Sequence, residues 1–347
     1  MAAVTKAPSV VVRAAHVDEG REIAALWREL WDAHEAWGGY PGTRDARVYE
    51  QLAVRLSEDA RVRGGQPVLG RHIHLVAHTD LGVVGQVEGW FERHGVGDTT
   101  PYTCEVRSLI VSSKTRSRGV GRALLESLAQ VARHMSRGAP VIMAAEVLEP
   151  NPAHAFYAKV GYVPVSWTAR ISTESGSGAS AEPTGPWKAR LATPDDALAI
   201  GVLEPALAAR RRSQGDVRFD RPRAVDATFV GALSAHLARP VGSLDQSELV
   251  VVDEEGVVRA NASLTVMSLD PPFIPARRGL LGRFAIDPAL DPQPLVLPLV
   301  RLGRRLSLLR GATSLELTDL DPPTGPLNQG AIAAGAQPWS RIVERFA

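Results

Sequence analysis

The chain has 347 residues, with 39 basic against 38 acidic side chains, 45% hydrophobic and 22% charged residues and a single cysteine. This length suits two domains of ordinary size, and the composition is that of a soluble globular protein. A formal net charge of +1 excludes a global field for nucleic acid or an anionic membrane, and a lone Cys104 excludes an intrachain disulfide.

The N-terminus, MAAVTKAPSVVV, has no charged region followed by a long apolar core. No signal peptide or membrane span is read there, and a cytoplasmic location is expected. VVVRAAHVDEGREIAALW then reads as a short strand followed by a helix start near Asp18. Ile23, Leu26, Trp27, Leu30, Trp31 and His34 recur at i, i+3, i+4 spacing, which predicts an amphipathic helix with an aromatic face. The Gly/Pro break from Trp37 to Gly42 ends it, and ARVYEQLAVRLSEDA predicts a second helix. Residues 72–91, HIHLVAHTDLGVVGQVEGWF, read as a hairpin turning at Thr79–Gly82. Its His72 and His74 share a strand face, with His78 two steps further; solvent or an acceptor cleft is the expected setting of these rings.

YTCEVRSLIV, residues 102–111, is β-rich, and Cys104 within it reads as a buried structural thiol. RSRGVGRALL, residues 116–125, opens a helix whose Leu124, Leu125, Leu128 and Val131 point inward. Glycines at a helix N-terminus bring free N–H groups and the positive end of the helix dipole to one place, which favours an anion. Gly119 and Gly121 remove side chains that would hold it off, and Arg116 and Arg118 add charge. Neither a Walker loop nor a complete dinucleotide fingerprint is present. Residues 141–165, VIMAAEVLEPNPAHAFYAKVGYVPV, predict a strand, a Pro/Asn break, a short helix and a final strand.

Residues 172–186, STESGSGASAEPTGP, are small, polar, Gly or Pro throughout and read as a flexible linker. Beyond it the frame repeats. WKARLATPDDALAI offers a strand and a cap at Thr193 or Asp195, and ELVVVDEEGVVRANASLTV, residues 248–266, offers a hairpin. GLLGRFAIDP, residues 279–288, mimics the strand before the glycine loop, but Asp291-Pro292-Gln293-Pro294 follows it. Prolines lack N–H groups, so this second junction makes a poor anion cradle.

The joint pattern resembles the GNAT superfamily of acyl-CoA-dependent N-acyltransferases. It is carried by Leu109-x-Val111, Arg116-x-x-Gly119-x-Gly121, Asn151 and the run Phe156-Tyr157-Ala158-Lys159-Val160-Gly161-Tyr162. One departure stands out: Asn151 precedes Tyr157 by six positions where the family usually has seven, and Pro150 takes the expected Asn place. The resemblance implies an α/β (α+β) chain of two GNAT-like mixed-sheet domains with flanking helices. They are a catalytic domain at 9–171, the linker at 172–186 and a degenerate copy at 187–347, in which Ala333 and Ala334 stand where a Tyr would be expected.

By the same resemblance the anion is the pyrophosphate of acetyl-CoA, wrapped by Arg116, Ser117, Arg118, Gly119, Val120, Gly121 and Arg122. The pantetheine arm would run along Leu109, Ile110 and Val111, with Asn151, Phe156, Tyr157 and Lys159 completing the site. The implied reaction is direct attack of a neutral amine on the thioester. An amine with a pKa of about 10 must first lose a proton. Glu105 is the first candidate base, Glu146 the second and Glu88 the third; residues 105, 107, 109 and 111 share one face if no bulge intervenes. The Val111 amide is expected to stabilise the oxyanion and Tyr157 to protonate the leaving thiolate.

Trp31, Glu35, Trp37 and Tyr40 suit a small cationic amine through cation–π and charge contacts. No metal is implied, no acidic groove for a basic protein tail is visible, and a monomer or homodimer is expected. The function read is N-acetylation of a primary amine on a small molecule, as drug resistance or biosynthetic tailoring. The alternative is a non-catalytic acyl-CoA-binding or scaffold protein on two GNAT folds.

Overall fold

The computed structural model describes residues 10–93, 101–173, 186–216, 225–239, 246–269 and 273–347. Most of the expected linker lies outside these residues. The chain forms two compact units that are not contiguous in sequence. Unit 1 holds Met1–Val163, Pro271–Ile274 and Val343–Ala347, and unit 2 holds Pro164–Asp270 and Pro275–Ile342. The linear division at 171 and 187 therefore misses an exchange. The strand leading into the linker belongs with unit 2, and the C-terminal end of the chain belongs with unit 1.

Unit 1 runs through β1 (Val11–Arg13), α1 (Gly20–Ala36), α2 (Ala46–Arg63), β2 (Val68–Leu69), β3 (His72–Thr79), β4 (Gly82–Arg93), β5 (Tyr102–Val111), α3 (Val120–Met135), β6 (Val141–Leu148) and α4 (Ala153–Lys159). β1, β3, β4 and β5 pair antiparallel in that order, and β6 joins β5 in parallel. The inward face of α3, with Leu124, Leu125 and Leu128, packs on Ile73, Val87, Cys104 and Val106. α1 and α2 bury Ile23, Leu52 and Leu56 with Val76 of β3, in a separate cluster. Val343 joins the first core, and the Ala347 amide donates to the Val141 carbonyl at 2.9 Å, so the end of the chain extends the unit beside β6.

Unit 2 comprises β7 (Val163–Ser172) from Pro164 onward, β8 (Lys188–Leu191), α5 (Ala197–Ser213), α6 (Ala227–Leu237), β9 (Gln246–Val252), β10 (Val258–Leu269), β11 (Ala276–Ile286), α7 (Gln293–Leu309), β12 (Ser314–Leu320) and α8 (Pro326–Ala333), and most of β13 (Gln337–Phe346). Its strands follow the order β8, β9, β10, β11, β12, with β12 parallel to β11 and β7 antiparallel to β12. Ser172, expected in the linker, is the last residue of β7.

Both halves open with the same device. Glu19 accepts from the His16 amide at 2.6 Å and is paired with Arg13 through two hydrogen bonds; Asp196 accepts from the Thr193 amide at 2.7 Å and is paired with Arg190. These carboxylates tie the first strand of each half to the helix start that follows. Of the caps expected in the second half, Thr193 is the one the structure uses, with Asp196 completing its box; in the first half, where a helix start was expected near Asp18, the cap is His16 and Glu19 completes the box.

The feature that positions the site is a bulge in β5. Ser108 has a φ of 44°, and the pairing to β4 shifts between Gln86↔Ile110 and Glu88↔Arg107. Parallel pairing with β6 ends at Val106↔Ala145, and the two strands part there. Unit 2 repeats the geometry: Arg283 has a φ of 55°, the β10 register shifts between Asn261 and Ser263, and pairing of β11 with β12 ends at Leu281↔Leu317.

Candidate functional site

Where β5 leaves β6, unit 1 opens a cleft of about 620 Å³, within the usual range for small-molecule sites. Leu109, Ile110 and Val111 line it from the strand. Arg116, Ser117, Gly119, Val120, Gly121 and Arg122 line it from the junction with α3, and Asn151, Phe156 and Lys159 from the start and end of α4. The cleft therefore gathers every residue expected to contact the acyl donor except Arg118 and Tyr157. The sequence motifs did not reveal Leu30 and Ala33 of α1, which form another wall together with Trp37. Their place depends on how α1 lies across the sheet.

The junction is shaped for an anion. α3 has no side-chain cap and no acidic residue in its first turn, so the amides of that turn and the helix dipole are open to a ligand. Ser117 and Gly119 have φ of 67° and 83°; left-handed residues of this kind turn successive N–H groups toward one side. A Cβ on Gly121 would stand 3.3 Å from the Phe156 ring and 3.6 Å from Val111, so this glycine keeps the cleft open. Arg116 donates from Nε to the Val111 carbonyl at 3.2 Å. Arg116, Arg122 and Lys159 give the walls a positive lining. These features fit a phosphate-bearing ligand on an uncapped helix start.

Asn151 lines the cleft, but its side-chain oxygen accepts from the Ala153 amide at 2.9 Å and so starts α4. Tyr157, one residue beyond Phe156, is 7% exposed and packs edge-on to Phe156 and Tyr162 at 5.4 and 5.1 Å. Burial raises its pKa, so the phenol keeps its proton at neutral pH. Cys104 is fully buried, and burial pushes its thiol to about 12, consistent with a packing role.

The candidate bases separate sharply. The Ser108 bulge adds one residue to β5, so Leu109 and Val111 pack on the same core as Cys104 and Val106. Glu105 falls on the other face, is exposed, and pairs with Arg107 at 2.7 Å. The expectation that 105, 107, 109 and 111 share a face fails, because alternation resets at a bulge. Glu146 is also exposed. Glu88 is the carboxylate of the three that the structure holds inside, with 14% of its side chain exposed. His72 and His74 stack beside it at 6.3 Å; His74 is buried rather than solvent-facing. Among the described residues, no group of three or more His, Cys, Asp or Glu is placed to hold a metal.

Of the expected acceptor residues, Trp37 alone reaches the cleft. Trp31 is 6% exposed and packs on Trp27 at 5.3 Å and on Phe273 at 4.4 Å, the latter from the Pro271–Ile274 segment that unit 1 contains. Tyr40 lies 6.4 Å from the same Phe273 ring. Glu35 is paired with Arg44 at 3.0 Å. The aromatic face of α1 is therefore largely packing, and Phe273 is a member that sequence proximity could not suggest.

Residues 25–162 match the family model described as the acetyltransferase (GNAT) family. Among solved structures, the chain is similar to a GCN5-related N-acetyltransferase from Sphaerobacter thermophilus, at 16% identity and a TM-score of 0.58, covering 97% of this chain and 95% of that one. It is also similar to the GCN5-related glucosamine N-acetyltransferase region of a fungal multi-domain GH3 beta-N-acetylglucosaminidase, at 14% identity and a TM-score of 0.54, covering 98% of this chain and 38% of that one. A tandem GNAT protein from the clavulanic acid biosynthesis pathway matches at 18% identity and a TM-score of 0.48, over 98% of both chains. At these identities the likeness concerns the fold. No curated protein matches the sequence.

Proposed function

We propose, from the match of residues 25–162 to the acetyltransferase (GNAT) family model, that unit 1 transfers an acetyl group from acetyl-CoA to a primary amine of a small molecule. The observation that carries this reading is the uncapped start of α3, which opens on the cleft beside the splayed end of β5.

Acetyl-CoA, when bound, supplies an activated acetyl group on a thiol leaving group. The residues to hold it are those of the Arg116–Arg122 turn for its phosphates, Leu109–Val111 for its extended arm, and Phe156 and Lys159 along α4. The Val111 amide is the donor for charge developing on the carbonyl oxygen. Tyr157, kept protonated by burial, is the donor for the departing thiolate. Both unit 2 and the C-terminal residues Val343–Ala347 serve as scaffold in this reading, and the protein acts as a monomer or homodimer. Among the described residues no helix is long and apolar enough to cross a membrane.

The test is thiol release from acetyl-CoA with a panel of primary amines: 2-phenylethylamine, spermidine, glucosamine and kanamycin. Turnover with any of them is expected, and Tyr157→Phe should lower kcat by about 10–100-fold with CoA affinity within about twofold. Tight CoA binding with no turnover on any amine would favour a non-catalytic acyl-CoA-binding protein instead. An unchanged rate in Tyr157→Phe would remove the acid role.

A further inference from the structure

α1 carries two carboxylates that grip the backbone of the sheet. Glu22 Oε2 accepts from the Val83 amide near the start of β4 at 2.7 Å. Glu29 lies about two helical turns further along and so on the same face. Its Oε2 accepts from the Ser113 amide at 3.0 Å and its Oε1 from the Ser112 hydroxyl at 3.3 Å. Ser112 and Ser113 directly follow Val111, the last residue of β5, and lead into the Arg116–Arg122 turn. Glu29 immediately precedes Leu30, which with Ala33 and Trp37 forms the α1 wall of the cleft.

Ser113–Thr115 form a single 3₁₀ turn, and the N-cap of that turn, Ser112, makes no side-chain cap of its own. The Ser113 amide is therefore an orphan donor, and Glu29 caps it from another element. The remaining fastenings of the turn are to the sheet and to itself: the Ser112 amide donates to the Val84 carbonyl and the Thr115 amide to the Ser112 carbonyl, both at 2.9 Å. A carboxylate beside a cradle for phosphates opposes the charge of the ligand, so attraction does not explain its place here. Unit 2 lacks both ends of this link. The opening device shared by the halves aligns Arg13 and Glu19 with Arg190 and Asp196, which sets Glu22 and Glu29 against Ala199 and Ala206. The two bulges align Ser108 with Arg283, which sets Ser113 against Pro288, a residue with no N–H. α5 is fastened at the bulge instead, where Arg283 Nη2 donates to Glu204 at 2.8 Å. The repeated frame thus forms without the link, and the link accompanies the open junction.

We propose that Glu29 is a positioning residue for the acyl donor: it holds the Ser112–Arg116 turn against α1 and so fixes the spacing between the strand that receives the extended arm and the amides that receive the phosphates. This rests on the acetyl-transfer reading of unit 1. A ligand that spans both places, as CoA does, needs that spacing. A ligand that meets only the amides, such as ADP, does not. The link also ties the donor's turn to the helix that carries Trp37, so the α1 wall and the phosphate turn are held as one piece.

Two substitutions cut the link from opposite sides. Glu29→Ala removes the acceptor. Ser113→Pro removes the amide, and Ser112, at a φ of −51° and a ψ of 135°, already has the extended backbone that a following proline requires. In calorimetric titrations each should weaken CoA binding about tenfold and leave ADP binding within about twofold, and the double variant should bind CoA no more weakly than either single one. Glu29→Gln keeps an oxygen for the Ser113 amide and should bring CoA affinity back to within about twofold of the wild type. If Glu29→Ala fails to fold, Ser113→Pro carries the comparison of CoA with ADP by itself. The proposal is overturned by unchanged CoA affinity in either single variant, by equal losses for CoA and ADP, by additive losses in the double variant, or by no rescue with glutamine. A wild type that binds no CoA removes the acetyl-transfer reading itself, and this proposal with it.

Discussion

At the turn from splayed strand to helix, unit 1 leaves backbone amides without side-chain partners, while unit 2 fills the corresponding places with its own carboxylates. α3 begins with Gly119 and no cap. α7 begins after Asp291, whose Oδ1 accepts from the Gln293 amide at 3.0 Å, and prolines at 292 and 294 remove two more N–H groups. At the bulge of unit 2, the Arg283 amide donates to Asp319 Oδ2 at 3.2 Å. Asp319, at a φ of 58°, sits where β12 has parted from β11. Asp321 accepts from the Leu327 and Asn328 amides at 3.0 and 2.9 Å and so starts α8. The two units share the bulge and the splay but differ in what completes them. Burial holds the shared frame in both units, whereas the donors at the junction are left open in one and taken by nearby acidic side chains in the other.

The largest expected effect comes from giving unit 1 the acidic character of the second junction. Gly121→Asp places a carboxylate at the cleft side of α3, and at about 4 Å from a phosphate it should weaken CoA binding by about 10²–10³-fold with little change in melting temperature. Calorimetric titration measures this, with one CoA per chain expected in the wild type. Undiminished binding would mean that the start of α3 is not the anchor and that the two junctions do not differ in function. Removing Val343–Ala347 tests the exchange of segments between halves. Loss of the buried Val343, the Ala347 hydrogen bond and the Arg345 donation to the Val160 carbonyl should destabilise unit 1 by about 3 kcal/mol. Hydrogen exchange should rise in β6 and α4, and unaltered exchange there would show that unit 1 is complete without the C-terminus.

Smaller effects address the device that the units share. The Arg190 guanidinium, together with the Thr193 amide and hydroxyl, holds the Asp196 carboxyl at about 2, against burial that would raise it. Because the folded pKa is depressed, the stabilisation is present above the unfolded value near 4 and is lost as pH falls from about 4 to about 2. Its size at neutral pH is about 2 kcal/mol. Asp196→Asn should lose it at pH 7 and match the wild type near pH 2 in denaturant titrations. Glu19, lowered in the same direction in unit 1 by Arg13 and the His16 amide against its own burial, should behave alike. Parallel pH profiles for Asp196→Asn and Glu19→Gln would confirm the repeat, and an effect confined to one of them would break it. Gly119→Ala is the mildest change. No atom lies within 4 Å of the added Cβ, but the φ of 83° penalises any side chain by about 1 kcal/mol. CoA affinity should fall about fivefold at most.

The legible part of the site was local. Arg116–Arg122, Leu109–Val111 and Phe156–Lys159 announced themselves by glycine spacing, strand pattern and order along the chain, and all of these residues but Arg118, Tyr157 and Ala158 line one cleft. What failed was face assignment. Ser108 is neither glycine nor asparagine, so nothing in YTCEVRSLIV marks a left-handed residue, and an uninterrupted strand was the natural expectation. One inserted residue moved Glu105 to the exposed face and brought Ser108 against Glu88. The aromatic residues of α1 were read as an acceptor wall, yet Trp31 is packed and Glu35 is neutralised by Arg44, because helix periodicity gives a face but not what covers it.

The sequence by itself determined the repeat of two α/β modules, the anion-favouring turn in one and the proline-bearing turn in the other, because each rests on residues close in the chain. The tertiary structure decided the rest. It set which carboxylate lies inside, which segments of the second half complete unit 1, and that the acidic residues of unit 2 lie on its own amides. Those outcomes depend on a bulge, on burial and on contacts between residues up to about two hundred positions apart, and side-chain periodicity carries no record of such contacts.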